Sequence, residues 1–284
     1  MTDIGAELYE AIKAEFDKAI EQDAQIKSIL KRIETGKAAS GDIALYAQRL
    51  GARLRQAIEH NISADKLPNG QMYYNIAEKV LRPSLQTNYE LFNAVAARIQ
   101  AAVDAKQGIR IAAQQAALQK SRIDVVIDAA SQEGIAEATM IRRMAVPAET
   151  ITQSYADNFI RSNASFRSKA GFDMYIVRKE APNCCEWCSK IGGKYRYPEE
   201  VPKDAFRRHD NCGCTVEMIS NGMSTNVHSK RQSALTDEQK EQIAQAELKR
   251  PTVLSPEEGA KTEAKQLAKL KGRLTGEAES GINQ

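Results

Sequence analysis

The sequence has few aromatic residues, little net charge and no long apolar run. Aromatic side chains make up only 6% of the 284 residues, so a core must be built mainly from Ala, Ile, Leu and Val, a composition that favours helices. The 40 basic and 37 acidic residues nearly cancel, which gives no general argument for nucleic-acid binding. No apolar segment reaches the roughly 20 residues that a transmembrane helix needs, so we expect no membrane association.

The N-terminus also lacks the features of a secretory signal. Residues 1–7 contain no basic region and no apolar run. We therefore expect synthesis in the cytosol, where cysteines are kept reduced.

Against this background, the clustering of the cysteines is the strongest signal in the chain. Cys185-x-x-Cys188 is followed, twenty residues later, by His209-x-x-Cys212-x-Cys214. A Cys-x-x-Cys turn directs two thiolates to one point, and a second pair from a distant segment completes a tetrahedron. The spacing predicts one structural zinc ion held by Cys185, Cys188, His209 and Cys212.

The ligand set has alternatives, because five thiols and a histidine exceed the four positions of a tetrahedral ion. Cys214 could replace His209 or Cys212, since Cys-x-Cys is also a usable pair. Cys184 could replace Cys185 only by changing the turn to Cys-x3-Cys. Two disulfides are a further alternative, which would require an oxidising compartment.

Helical periodicity covers the first part of the chain. Apolar residues recur every three or four positions, which predicts a helical domain over residues 1–170. Pro83 should break or kink this pattern, because proline removes a helical hydrogen bond and clashes with the preceding turn. The expected helices cover approximately residues 3–34, 40–58, 71–82, 85–106, 109–130 and 148–169, with a short segment at 135–144.

The pattern changes to strand-like alternation on both sides of the cysteines. Residues 172–179 and 215–219 alternate apolar and polar side chains, which predicts two strands in a module at 171–220. Too few apolar residues lie between them for an independent core, so zinc binding would supply the missing folding energy. Residues 221–284 are charged, helix-prone and poor in apolar positions, which predicts a flexible tail. The expected fold is mainly α with a small C-terminal α+β module stapled by zinc.

The cysteine region resembles a known family. The string from Cys185 to Tyr195, Cys-Glu-Trp-Cys-Ser-Lys-Ile-Gly-Gly-Lys-Tyr, and the string from Val201 to Glu217, which contains His-Asp-Asn-Cys-Gly-Cys, resemble the C-terminal module of phage head-morphogenesis proteins of the Mu F-like minor capsid family. The same order of motifs follows a helical N-terminal domain in that family. The resemblance covers about residues 172–219, and Gly213 departs from it, because the family pattern has Arg or Lys there.

The resemblance implies a structural role in a phage. We expect a non-enzymatic minor capsid protein, present in several copies in the phage head after synthesis in the bacterial cytoplasm. Its expected partners are the portal protein, the major capsid protein or both, with weak contact to packaged DNA. A closed site of three cysteines and one histidine supports a structural ion, because it leaves no coordination position for substrate or water.

The motif suggests three other functions, of which a nuclease and a nucleic-acid-binding module remain compatible with the sequence. A zinc deaminase is disfavoured, because the required His-x-Glu is absent at His60. A nuclease could use His209 as general base if Cys214 took its place at the metal. A nucleic-acid-binding knuckle is suggested by basic residues among aromatic ones, although nearby carboxylates nearly cancel their charge. These basic residues are Arg196, Lys203, Arg207 and Arg208.

Overall fold

The computed structural model describes residues 3–115, 117–182 and 184–223, which form seven α-helices and three β-strands. The helices are α1 Ile4–Gln22, α2 Ala24–Glu34, α3 Gly41–Asn61, α4 Tyr74–Lys106, α5 Lys120–Ala130, α6 Glu137–Lys169 and α7 Glu186–Lys190. The strands are β1 Phe172–Lys179, β2 Gly193–Tyr197 and β3 Thr215–Met223. Two short 3-10 turns, Ala64–Lys66 and Pro68–Gly70, connect α3 to α4. The prediction of a mainly helical fold with a small sheet is confirmed.

Helices α3 and α6 form the centre of the helical region. They contact each other extensively, α4 packs against both, and α1 packs against α3 and α4. Gly51 permits the close approach of α3 to α6, because a Cβ atom at this position would lie 2.9 Å from the Glu149 carbonyl oxygen. The core between these helices is aliphatic with a few rings, including Phe92, Tyr155 and Phe159.

The first predicted helix is divided into two. α1 ends at Gln22, and the side chain of Asp23 caps α2 by accepting hydrogen bonds from the backbone N–H groups of Gln25 and Ile26, at 2.9 and 3.1 Å. The same carboxylate is paired with Arg49 and Arg53 of α3. The prediction of one helix over residues 3–34 was wrong. The spacing of the apolar residues continues across Asp23 and does not show that its buried side chain begins a second helix.

Prolines do not interrupt the long helices. α4 continues through Pro83 and α6 continues through Pro147, so Pro83 does not break the helix, and the alternative of a kink at Pro83 stays a prediction. Val80, Leu81 and Leu85 are completely buried around Pro83, and packing on both sides of the proline maintains the helix where local preference disfavours it.

The segment between α4 and α5 is also different from the prediction. Helix was expected from residue 109, but α5 begins only at Lys120. The side chain of Asn163 on α6 explains part of this difference. Its Oδ1 accepts from the N–H of Gln114 and its Nδ2 donates to the Gln114 carbonyl, both at 2.8 Å, so these backbone groups bond to α6 instead of to a helical turn.

The sheet has three antiparallel strands in the order β2-β1-β3. The predicted strand 172–179 is confirmed as β1, and the second extends beyond its predicted end as β3. The two-stranded prediction missed β2, although Lys-Tyr-Arg-Tyr alternates polar and aromatic side chains; the alternation covers only four residues. Ile176 of β1 is opposite Tyr195 of β2 and Met218 of β3.

The sheet packs against the helical region through α3 and α6. Met174, Ile176, Val216 and Met218 are buried, and the described residues belong to one compact unit. The predicted boundary near residue 170 stays a prediction, because a packed interface does not reveal whether its two sides fold separately. The described residues end at 223, so the predicted tail, 221–284, lies outside them from residue 224 onward.

Within the described ranges, none of the helices combines the length and apolar character that a bilayer crossing requires.

Candidate metal centre

The first pair of candidate ligands lies at the start of α7. Cys185 is the N-cap residue, and its Sγ accepts a hydrogen bond from the N–H of Cys188 at 3.5 Å. The short helical turn therefore directs both sulfurs to the same side. Cys188 is buried, whereas Cys185 is exposed.

The second group comes from the loop between β2 and β3. His209 Nε2 lies 3.3 Å from Cys185 Sγ and 3.2 Å from Cys188 Sγ. The other ring nitrogen, Nδ1, is 2.7 Å from the carbonyl oxygen of Asp210. A carbonyl only accepts, so Nδ1 carries the proton and the lone pair of Nε2 faces the sulfurs, as in a metal-ligating histidine.

All five predicted site residues lie in one cluster that could hold a metal ion. Cys185, Cys188 and His209 form one group and Cys188, Cys212 and Cys214 form another, with the donor atoms of each group within 4.8 Å of one another. Cys188 belongs to both groups, and its sulfur is 3.7 Å from that of Cys212.

The sulfur–sulfur distance fits tetrahedral coordination, and the two sulfur–nitrogen distances, 3.2 and 3.3 Å, are somewhat shorter than a tetrahedral edge. Zinc bonds of about 2.3 Å to sulfur and 2.0–2.1 Å to nitrogen imply tetrahedron edges of roughly 3.8 Å between sulfurs and 3.5 Å between sulfur and nitrogen. The 3.7 Å separation of Cys188 and Cys212 is close to such an edge and far longer than a disulfide bond of about 2.0 Å. All five cysteines are free.

Cys184 packs beside the cluster but is bonded to a carboxylate outside it. Its sulfur donates to Glu180 Oε2 at 3.3 Å, and it belongs to neither donor group. Burial and the Glu180 carboxylate raise the pKa of the Cys184 thiol to about 11, which disfavours the thiolate that a metal would need.

The two cysteines of the first pair have different acidities in the protein. The backbone N–H of Cys188 and the nearby His209 lower the pKa of Cys185. Burial raises the pKa of Cys188 to about 12, and the neighbouring Cys212 sulfur adds to this increase. A buried thiolate at Cys188 therefore needs positive charge beside it.

Arg178 on β1 supplies positive charge at this point. Its side chain is only 2% exposed, and Nη2 lies 3.7 Å from Cys188 Sγ and 3.9 Å from Cys212 Sγ. Nη1 donates to the Ala205 carbonyl at 2.6 Å, and no carboxylate pairs with this guanidinium among the described residues. Arg178 was not predicted from the sequence, because an arginine in an alternating strand is typical of a solvent-facing position.

Arg208 connects the histidine loop to the helical region. It forms a buried two-pronged ion pair with Asp157 of α6, in which Nη2 lies 2.9 Å from Oδ1. Its Nη1 also donates to the Cys214 carbonyl at 2.7 Å. The sequence suggested a nucleic-acid contact for Arg208. In the structure, Arg208 instead holds the loop that carries His209 against α6.

Other basic residues of the knuckle are also paired internally. Arg196 contacts Asp173 at 3.2 Å, and Arg207 contacts Asp204 at 3.0 Å. The aromatic side chain beside the cluster is Trp187, which packs on the cysteines and contacts the His209 ring edge-on.

Comparison with protein-family models, curated proteins and solved structures finds no match for this chain.

Proposed function

We propose that the protein is a phage minor capsid, or head-morphogenesis, protein. In this proposal a structural zinc ion stabilises the C-terminal module, residues 171–220, against the helical region. The observation that carries this proposal is the cluster itself, in which two groups of three donor atoms, each within 4.8 Å of one another, share Cys188. The order of its motifs after a helical region supports the resemblance to the Mu F-like family.

Zinc fits the donors better than other ions. Thiolate and imidazole ligands in a tetrahedral arrangement are typical of zinc, whereas Mg²⁺ and Ca²⁺ prefer oxygen ligands. When bound, the ion would crosslink α7 to the loop before β3, two segments that have little apolar surface of their own.

Charge favours three cysteines and His209 as ligands over four cysteines, and the contact of Arg178 with the sulfurs of Cys188 and Cys212 favours the set Cys185, Cys188, Cys212 and His209. Three thiolates and a neutral imidazole around Zn²⁺ carry a net charge of −1, which the single buried guanidinium of Arg178 neutralises. Four thiolates would leave one negative charge uncompensated. Cys214 is then a buried thiol beside the ligands.

The environment of His209 supports a structural rather than a catalytic role. Nε2 faces two sulfurs and Nδ1 is engaged by the Asp210 carbonyl, so neither nitrogen is directed to a substrate. We propose that the protein acts through contacts in the phage head, with portal or major capsid protein as partner and several copies per head.

Zinc stoichiometry is the direct test of the site. Native mass spectrometry and elemental analysis of the full chain should give one zinc per chain. Cys188→Ser and Cys212→Ser should lose it, while the matched control Cys184→Ser keeps it because Cys184 bonds to Glu180. Cys214→Ser should also keep it if the charge argument holds. A fully folded metal-free chain, or disulfides within the cluster, would contradict the proposal.

The structural role is tested separately. Co-expression with the portal and major capsid proteins of the same phage should place the chain in procapsids at a constant copy number. Metal-dependent cleavage of DNA that disappears in His209→Ala would instead support the nuclease function.

A further inference from the structure

A cavity of about 690 Å³ lies away from the cysteine cluster, between α6, the segment before α5 and β2. Its walls include Arg161, Phe166 and Lys169 of α6 and Tyr197 of β2. This volume is within the range of small-molecule and nucleotide sites. None of the five candidate metal ligands lines it.

The wall opposite α6 is held in place by buried polar contacts. Asn163, completely buried, bonds to both backbone groups of Gln114, a lining residue. Arg167 donates to Asn163 Oδ1 at 2.8 Å and is paired with Asp104 at the end of α4. The two walls of the cavity are therefore joined, without a ligand, by hydrogen bonds from a completely buried asparagine.

The cavity has uncompensated positive charge. No Asp or Glu side chain occurs among its described lining residues, and Arg161 and Lys169 are both exposed. Neither has an ion-pair partner in the described part of the chain, in contrast to Arg196, Arg207 and Arg208 of the knuckle.

Positions 161, 165 and 169 follow one face of α6 at intervals of four residues. Arg161 and Lys169 are thus about 12 Å apart along the helix axis, with the Ser165 hydroxyl between them. This separation suits two different phosphate groups of a chain better than a single phosphate.

An apolar stacking surface lies beside these charges. Phe166 is 41% exposed, although a ring of this size is usually covered, and Tyr197 lines the same cavity. Amide side chains, among them Asn158 and Gln119, supply the donors and acceptors that base edges need.

We infer that this cavity binds a short stretch of single-stranded nucleic acid. Arg161 and Lys169 contact two phosphates of the strand that are separated by one intervening phosphate, and an unpaired base stacks on Phe166. A duplex would bind less well, because its bases are already stacked. This activity is independent of the zinc site and of the proposed role in the head.

Fluorescence anisotropy of the full zinc-loaded chain with a labelled oligothymidylate, over a series of salt concentrations, tests the inference. Arg161→Gln and Lys169→Gln should each weaken binding about fivefold and reduce the salt slope by about 0.7. Phe166→Ala should also weaken binding fivefold or more but leave the salt slope unchanged, because stacking releases no counterions.

Matched substitutions elsewhere serve as controls. Arg207→Gln removes an exposed but paired cation, and Tyr74→Ala removes an aromatic ring that is 45% exposed on α4. Both should bind like the unaltered chain. Equal losses in the controls, tighter binding of duplex, or a mononucleotide that competes as well as the oligonucleotide would each overturn the inference. Circular dichroism confirms that every variant is folded.

Discussion

At the scale of single residues, the chemistry of the site depends on one arginine that belongs to no motif. Arg178 reaches the buried sulfurs of Cys188 and Cys212 from β1, and its guanidinium carbon lies over the Trp187 ring, 5.8 Å from the ring centroid. Residues that touch metal ligands influence metal affinity by one to two orders of magnitude in other proteins.

Replacing Arg178 should weaken zinc binding. We expect about tenfold lower zinc affinity in Arg178→Met and a smaller loss in Arg178→Lys. Lysine retains the positive charge but not the planar set of donors that the guanidinium offers. Competition with a chromophoric chelator measures this change. Arg196→Met is the control, since Arg196 pairs with Asp173 at the surface. Unchanged affinity in Arg178→Met would show that the thiolates need no counter-charge.

Asp23 makes a second residue-scale prediction, this time about stability. Burial alone would raise the pKa of Asp23, but hydrogen bonds from Arg49, the Ile26 N–H and Arg53 outweigh burial and lower the pKa to about 2. A lowered pKa stabilises the fold above the unfolded value of 3.8, and this contribution is lost as the pH falls through about 2.

Asp23→Asn should therefore destabilise the protein by about 2 kcal/mol at neutral pH, since asparagine can still cap α2 but leaves two arginines unpaired. The difference from the unaltered chain should shrink between pH 4 and pH 2 in urea titrations. Asp17→Asn, which breaks an exposed pair with Lys13, should cost less than about 0.5 kcal/mol at any pH. A pH-independent effect of Asp23→Asn would exclude the charge as its cause.

At the scale of elements, the contact between α3 and α6 positions the ligand loop. Arg55 of α3 donates to Asn211 at 3.0 Å, and Thr150 of α6 donates to Asp210 at 3.3 Å, so both helices hold the loop that carries His209. The distance between α3 and α6 depends on Gly51, because a Cβ atom there would collide with the backbone of Glu149.

Gly51→Ala should destabilise the fold by about 1–3 kcal/mol, because the Glu149 carbonyl cannot move without shifting α6. Thermal unfolding monitored by circular dichroism measures this effect. Gly41→Ala is the matched control, since its Cβ would meet only the end of the flexible Glu217 side chain. Equal stability of the two variants would mean that the helices separate at little cost.

At the scale of the whole molecule, the metal segments and the helical body are joined by more than the ion. The buried side chains of β1 and β3 pack on α3 and α6, and the Arg208–Asp157 pair fastens the loop to α6. The strands therefore share a core with the helices, whereas the segment 180–214 relies on few apolar contacts.

Zinc removal should therefore loosen only part of the module. After treatment with a strong chelator, hydrogen exchange should increase in residues 184–192 and 205–214, while β1 and the helices keep their protection. Far-UV circular dichroism should change little. Loss of protection in α6 would instead show that the ion stabilises the helices through Arg208 and Asp157.

The sequence by itself determined the helical class, the positions of β1 and β3 and the cysteine cluster, since each depends on periodicity or spacing along the chain. Tertiary structure decided the rest. Packing carries α4 and α6 through Pro83 and Pro147, and Asn163 keeps the segment at Gln114 out of a helix. The roles of Arg178 and Arg208 depend on partners that are distant in sequence. Local patterns cannot encode such contacts, because their free energy arises only when the elements meet.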